Sequence, residues 1–389
     1  MCLDDLLPEL LPVVTQLRHD LHAHPELAFE EHRTSDLVAW RLALLGLEVF
    51  RGLARTGVVA RLQCGTSTRA IGLRADMDAL PLPEMNRFSH SSRHEGRMHA
   101  CGHDGHTAML LGAAEAIKLR SRFDGTVYFI FQPAEEHEGG GRVMVEEGLF
   151  RQFPMDMVFG LHNWPGMPVS DFGVTEGPVM AGADRFDIRI TGRGGHAAMP
   201  HQASDVVVAG SALVLAMQTL VSRLSDPLDP LVVSVTRFQA GHADNVLPEQ
   251  AQLGGTVRTF DPDLRDEIEQ HLNRIAEGIA LAHGVSIDID YERGYPPTIN
   301  AAVAAAHCRA AAERCVGIDR VHRRLRPSMG AEDFAYLARE VPACYVWLGN
   351  GPGEGGCMLH SPHYDFNDAV IPVGIRYWVE LAESVLRPG

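Results

Sequence analysis

The sequence is short of positive charge: 34 Lys and Arg against 50 Asp and Glu leave a formal net charge of −16. That balance argues against nucleic acid and anionic membrane surfaces as partners. It reads as having no apolar run of the roughly 18 residues that a membrane span needs. A disulfide framework is also missing. The seven cysteines, at 2, 64, 101, 308, 315, 344 and 357, are scattered and odd in number, which favours a reducing, cytoplasmic setting. The amino terminus, MCLDDLLPELLPVV, has neither the basic region nor the small-residue cleavage site of a signal peptide. No internal repeat or low-complexity segment is evident. The GRGG turn at 192–195 lacks the Lys and the glycine spacing of a phosphate-binding loop.

What is present is an ordinary globular composition, 46% hydrophobic and 22% charged, over 389 residues. That length exceeds what one hydrophobic core sustains, so two domains are expected. The densest chemistry lies in Met98–His106, MHACGHDGH. His99, Cys101, His103, Asp104 and His106 can each bind a metal or carry a proton, and Gly102 and Gly105 allow tight turns between them. Cys101 and His103 are too close in sequence to share a helix face, but a loop can aim both at one ion. The following TAMLLGAAEAIKL is rich in strong helix formers, so the cluster is expected where a loop meets a helix start. From this stretch alone, a structural or redox Cys/His loop reads as well as a metal site.

Three apolar runs end in acid or histidine. Ala70–Arg74 leads into RADMDALP and places Asp76 and Asp78 at the carboxyl end of a strand, where open α/β sheets hold their sites. If extended, both side chains point the same way. Thr126–Gln132 is stopped by Pro133, with Glu135 and Glu136 just beyond. Adjacent carboxylates are costly to bury unless a cation or proton compensates, and one could bind metal while the other takes a proton. Asp156–Leu161 is followed by His162, Asn163 and Trp164. Singly, each ending also reads as a polar turn; together they form one constellation. In HAHPELAFEE, where Pro25 breaks the helix, His22, His24, Glu26 and Glu30 read as solvated or loop-fixing.

The texture changes near Ala183. A strand, the helix Asp205–Leu220, the strands Leu231–Gln239 and Ala251–Thr259, the helix Pro262–His283 with Asp261 as N-cap, and the strand Val285–Tyr291 follow in β-α-β-β-α-β order. This is the split βαβ, ferredoxin-like pattern, read as an α+β domain over 184–293 inserted into a discontinuous domain of 1–183 and 294–389. Beyond it, GAEDF reads as a helix start at Asp333. The loop NGPGEGG is flexible enough to shape a pocket mouth, and His360 and His363 flank a turn before a terminal helix.

The motifs RADMDALP, MHACGHDGH, QPAEE, GLHNWPG, GRGGHAAMPH, DNVLPE and LHSPHYDF span about residues 18 to 380 in order and spacing. With them the chain resembles the metal-dependent aminoacylase and carboxypeptidase superfamily. Within it, the likeness is to the hippurate hydrolase, N-acyl-amino-acid amidohydrolase and auxin-conjugate hydrolase branch. The resemblance implies a zinc-peptidase-like α/β catalytic domain, a mixed sheet flanked by helices, interrupted by a lid that also mediates dimerisation or tetramer formation. It maps two divalent ions (zinc, manganese, cobalt or nickel) onto Cys101, His103, Glu136, His162 and His360. It maps the general base onto Glu135, and the carboxylate behind or between the ions onto Asp78. It maps contacts to the substrate or the developing oxyanion onto His196, and the substrate carboxylate onto Arg258 and Asn245. The implied reaction splits a small N-acyl amino acid into a carboxylic acid and a free amino acid. A dipeptidase or carboxypeptidase on the same scaffold, or a metal-binding homologue without turnover, are the alternatives. Cys357 and His363 are expected to stay outside the ligand set, and His99 and His106 to support it.

Overall fold

The computed structural model describes residues 2–352 and 357–388. The chain divides into two compact units. One comprises 1–179, 299–326 and 333–389; the other comprises 180–298 and 327–332. The second unit is wider than the expected insertion, taking in both connecting segments and a short return at 327–332.

The first unit is built on a mixed eight-stranded sheet. Its first five strands in the chain are β1 (Glu48–Leu53), β2 (Gly57–Cys64), β3 (Ala70–Asp76), β4 (Gly125–Gln132) and β5 (Met157–Pro165). Their order across the sheet is β1-β2-β4-β3-β5, followed by Ala343–Gly351, Phe172–Gly173 and Val321–His322. The centre, from β4 through β3 and β5 to Ala343–Gly351, is parallel. Every residue of β3, β4 and Ala343–Gly351 is buried. Because alternate residues face opposite sides, both faces must be covered, as parallel sheets require. Cover comes from α1 (Leu3–Ala23), α2 (His32–Leu44), α3 (His103–Arg120) and the helices Ala302–Val316 and Ile371–Val385. All but four residues of α3 are buried, so it reads as apolar on every side rather than striped.

Strand β5 runs on through His162 to Pro165, because its parallel partner keeps register from Ala343 opposite Val158 to Gly349 opposite Trp164 and shifts only beyond it, where Gly351 meets Pro165. His162 is therefore fixed within the sheet instead of in a loop beyond it. The Cys/His cluster falls as its glycines suggested: Gly102 takes φ +93° and His103 is the first residue of α3.

The second unit has a four-stranded antiparallel sheet in the order Leu231–Ala240, Gln250–Thr259, Gly182–Thr191, Ser286–Arg293. The helices Val206–Thr219 and Pro262–His283 supply its other layer. Both are capped by aspartate: Asp205 accepts from the Val207 and Val208 N–H groups, and Asp261 from those of Asp263 and Leu264.

One expectation is corrected here. Val206–Leu224, 19 residues with a mean hydropathy of 1.6, is long and apolar enough to cross a membrane by length and composition. Its scattered Gly, Ser, Gln and Thr interrupt the apolar run to the eye without making the average polar. Val206, Ala209, Leu213, Met217 and Leu220 face the unit's own core, while Val208 and Leu215 are exposed.

Candidate metal centre

The site is assembled at the carboxyl ends of β3, β4 and β5. Just past β3, Asp78 receives His103: the ring Nδ1 lies 2.9 Å from the Asp78 carbonyl oxygen and 3.2 Å from Oδ1. Nδ1–H is thereby the donor, and Nε2 is the nitrogen that a metal ion would engage by displacing its proton. That nitrogen is buried and meets no hydrogen-bond partner. A carboxylate behind a histidine whose far nitrogen is unengaged is the usual arrangement behind a metal-bound imidazole. Asp78 also accepts the Glu136 N–H at 3.0 Å, so one carboxylate orients residues on two segments.

His162 is held similarly. Its Nδ1 donates to the Asn163 carbonyl at 2.7 Å, and its Nε2 faces Cys101 Sγ at 3.3 Å. Ligand atoms of Cys101, His103 and His162 lie within 4.8 Å of one another, and so do those of Cys101, Glu136 and His360. Cys101 belongs to both groups, which is the position a shared ligand between two ions would take. Glu136 Oε1 is buried without a partner, and Oε2 lies 3.3 Å from His360 Nε2. Orphaned polar atoms in the interior are expensive. Thiolate, imidazole and carboxylate donors aimed at common points fit divalent ions.

The charges agree. Burial, then the neighbouring Glu136, Glu135 and Asp76, push the Cys101 thiol well up, a shift that a bound cation would oppose. Burial works against a charged His103, but Asp76 and Asp78 outweigh it and raise the ring to about 10. Burial and the nearby His106 hold His162 well below the usual histidine range.

Glu135 and Glu136 follow a sharp turn in which Ala134 adopts φ +56°. Glu135 is 6% exposed, and the Asp333 N–H lies 3.4 Å from its Oε1. Asp333 starts the helix Phe334–Ala338, as its sequence position suggested, but its carboxylate does not cap it. It is 3.0 Å from Arg74, accepts from Gln132 at 2.7 Å, and accepts from the Gly141 N–H at 2.8 Å. Arg74 also pairs with Asp76 at 2.7 Å. A buried arginine demands such partners, and that outweighs a capping role.

His106 is fully engaged by protein, with Nδ1 on Asp76 at 2.6 Å and Nε2 accepting from the Asn163 N–H at 3.0 Å. It supports the site without an exposed lone pair. His99 is buried with neither ring nitrogen partnered, and burial lowers it to about 4. His363 is exposed and Cys357 half-buried; neither joins a ligand group among the described residues. Residues 353–356, most of the expected pocket-mouth loop, lie outside the described residues.

Several supporting residues carried no clear signal. His22, expected to be solvated or loop-fixing, is buried with Nδ1 2.9 Å from Asp104. Glu26 fixes its loop, accepting from the N–H groups of Arg33 and Thr34. Glu31 accepts the Ala134 N–H at 2.9 Å and the Thr56 hydroxyl at 2.6 Å. Adjacent to Glu30, it differed from that exposed neighbour only in the face it presents.

In the second unit, His196 and Asn245 come together. The short strand bearing His196 pairs with Val246–Leu247, and the Ala197 N–H donates to the Asn245 carbonyl at 3.0 Å. Both side chains are exposed. Arg258 lies in Gln250–Thr259, opposite Ala183 and Val232; it is half-buried, and burial lowers its pKa.

Residues 72–384 match the peptidase family M20/M25/M40, and the chain belongs to that family. It is 39% identical over 386 residues to the hippurate hydrolase of Campylobacter jejuni, covering 98% of this chain and 100% of that one. It is 47% identical to an N-acyl-L-amino acid amidohydrolase of Geobacillus stearothermophilus over 298 residues, 76% of this chain and 80% of the relative. Among solved structures, the Bacillus subtilis YxeP protein, a dinuclear metal-binding peptidase of the M20 family, superposes with a TM-score of 0.85 at 35% identity. That match covers 97% of this chain and 99% of the other.

Proposed function

We propose that the protein is a metal-dependent amidohydrolase that cleaves the amide of N-acyl-L-amino acids, releasing a carboxylic acid and a free amino acid. The observation that carries this reading is Cys101, common to two ligand groups, beside a buried Glu135.

Cys101, His103, Glu136, His162 and His360 would hold two divalent ions, which supply an acidified water and polarise the scissile carbonyl. The thiolate and imidazoles suit zinc, and manganese, cobalt or nickel can occupy such donors. Glu135 accepts the proton of the attacking water and delivers it to the leaving nitrogen. Asp78 keeps His103 in the tautomer that leaves Nε2 available. In the second unit, the lid of this reading, His196 steadies the substrate carbonyl, while Arg258 and Asn245 take up its carboxylate. A cationic Arg258 reconciles an anionic substrate with a chain of net charge −16, because a paired, positioned charge outweighs the overall balance.

The exposed Val208 and Leu215 of the Val206–Thr219 helix support association of two or four copies through the second unit. Seven free cysteines support a reducing, cytoplasmic setting. The peptidase description of the Bacillus subtilis relative supports dipeptides as the second substrate class.

The test is amino acid release from N-acetyl, N-benzoyl and indole-acetyl amino acids, with dipeptides alongside, each with and without a strong chelator. Chelator-sensitive release from the N-acyl panel is expected. Turnover confined to dipeptides would establish the peptidase reading instead. No turnover of either class by the metal-loaded, folded protein would point to the non-catalytic homologue.

A further inference from the structure

Arg18 sits in α1 with its side chain 1% exposed. Its guanidinium meets three carboxylates from two distant segments. Nη1 donates to Asp365 Oδ1 at 2.7 Å, Nε to Asp368 Oδ1 at 2.8 Å, and Nη1 lies 3.5 Å from Asp104 Oδ2. Asp104 follows His103 in the first turn of α3. His22, one turn along α1 from Arg18, holds the same Asp104 oxygen at 2.9 Å. Asp365 lies in the loop that carries His360, and Asp368 begins the 3-10 turn Asp368–Val370 that ends it.

That loop is tied to the unit at several points, the Met85 N–H donating to the Pro362 carbonyl and the Asn86 amide to the Tyr364 carbonyl, each at 2.9 Å, and Arg18 adds the charged anchorage. The His360 side chain is 55% exposed, and its backbone takes φ +64°, a left-handed conformation that costs a non-glycine residue about 1 kcal/mol or more. The His360 N–H itself donates to the Ala100 carbonyl at 2.8 Å. Arginine suits the remaining anchorage, because its planar fork presents several donors at once where lysine offers a point charge. His90 and His19 complete the cluster, 3.2 Å from Asp365 Oδ2 and 2.7 Å from Asp368 Oδ2.

We propose that Arg18 is a positioning residue for the metal centre, clamping the His360 loop to the helix start that bears His103 so that His360 is set before an ion arrives. The proposal rests on the reading of His103 and His360 as ligands.

Cobalt(II) titration of the metal-free protein tests it, followed by calorimetry and by the thiolate charge-transfer and visible bands that bound cobalt displays. Three proteins are compared with the wild type: Arg18→Lys, the double variant Asp365→Asn/Asp368→Asn, and His360→Ala. The two aspartates are partly exposed, 18% and 33% at the side chain, and Asp104 still faces Arg18; circular dichroism and urea unfolding of each variant identify those that keep the fold. One of two cobalt ions is expected to weaken roughly 10- to 100-fold in all three proteins, the other binding as in wild type. Adding His360→Ala to the double variant should weaken that ion no further, since residues acting through one contact are not additive. Wild-type affinity for both ions in the double variant would overturn the clamp. Equal weakening of both ions would also overturn it, by showing general destabilisation. A His360→Ala protein that binds both ions normally would instead remove the ligand reading, and the clamp with it.

Discussion

The Glu31 carboxylate accepts the backbone N–H of Ala134 at 2.9 Å, and Ala134 is the left-handed residue immediately before Glu135. A side chain that arrives early in the chain thus holds the turn that presents both site glutamates. Glu31 is itself in an unfavourable electrostatic position, because burial and then the nearby Asp78 raise it from 4.5 to about 7.

This gives a pH signature in the metal-free protein. Folded Glu31 keeps its proton up to about pH 7, whereas the unfolded side chain loses it near 4.5. The stability it contributes is full below the lower value, falls as pH rises between the two, and is gone above the higher. The whole effect is on the order of 3 kcal/mol. Glu31→Gln removes the titration and can still accept from Ala134. Urea unfolding of chelator-treated protein between pH 5 and 8 should show a smaller fall in stability for the variant; equal slopes would disprove the assignment.

Replacing Glu135 by Gln should lower kcat by about 10²- to 10⁴-fold while leaving metal content unchanged. Elemental analysis beside steady-state kinetics checks both halves. A variant that loses its metal along with its activity would make Glu135 a ligand instead of the base.

Metal removal should weaken the fold as well as activity. Glu136 and Glu135 push the Cys101 thiol up, so a divalent ion that binds the thiolate and the Glu136 carboxylate would relieve that repulsion. Free divalent ion at about 100 times its dissociation constant stabilises the folded state by about 2.7 kcal/mol per site. Thermal unfolding with chelator and with added zinc or manganese measures it. An unchanged midpoint would count against a site of useful affinity.

Gly102→Ala should destabilise the protein by at least about 2 kcal/mol and empty the site. The residue has φ +93°, unsuited to a side chain. A Cβ there would overlap Asn163 Oδ1 and lie 2.8 Å from the Tyr364 hydroxyl. Asn163 is the residue that engages His106. Denaturant unfolding and metal content report the two effects; a stable, metal-replete variant would contradict them.

Leu215 is 74% exposed on the Val206–Thr219 helix, where a lone chain gains nothing from it. Leu215→Arg should convert a dimer or tetramer to smaller species without changing the monomer's fold. Sedimentation velocity with circular dichroism would show this, and an unaltered assembly would place the contact elsewhere.

Much of the site was legible because its chemistry is concentrated at strand ends. RADMD, QPAEE and the helix start at His103 each announce a junction of the candidate site locally, as a polar cluster at the end of an apolar run or the start of a helix. What stayed hidden is long-range. Nothing local distinguishes buried Glu31 from exposed Glu30, or tells that Arg74 takes Asp333 as its partner 259 residues away. Asp333 starts a helix as its position implies, yet its carboxylate serves the sheet. The Val206–Leu224 run was underestimated because alternating small polar residues mask an average that is strongly apolar.

The order in which the ligands leave the ribosome follows from this layout. Cys101, His103, Glu136 and His162 precede the second unit, whereas His360 and the aspartates bound by Arg18 come within the last thirty residues. A nascent chain whose first half has emerged already carries Cys101, His103 and His162, one complete candidate group, while His360 is still unmade or inside the exit tunnel. Since domains tend to fold as they appear, the segments bearing the early residues can begin to pack before the His360 segment is made.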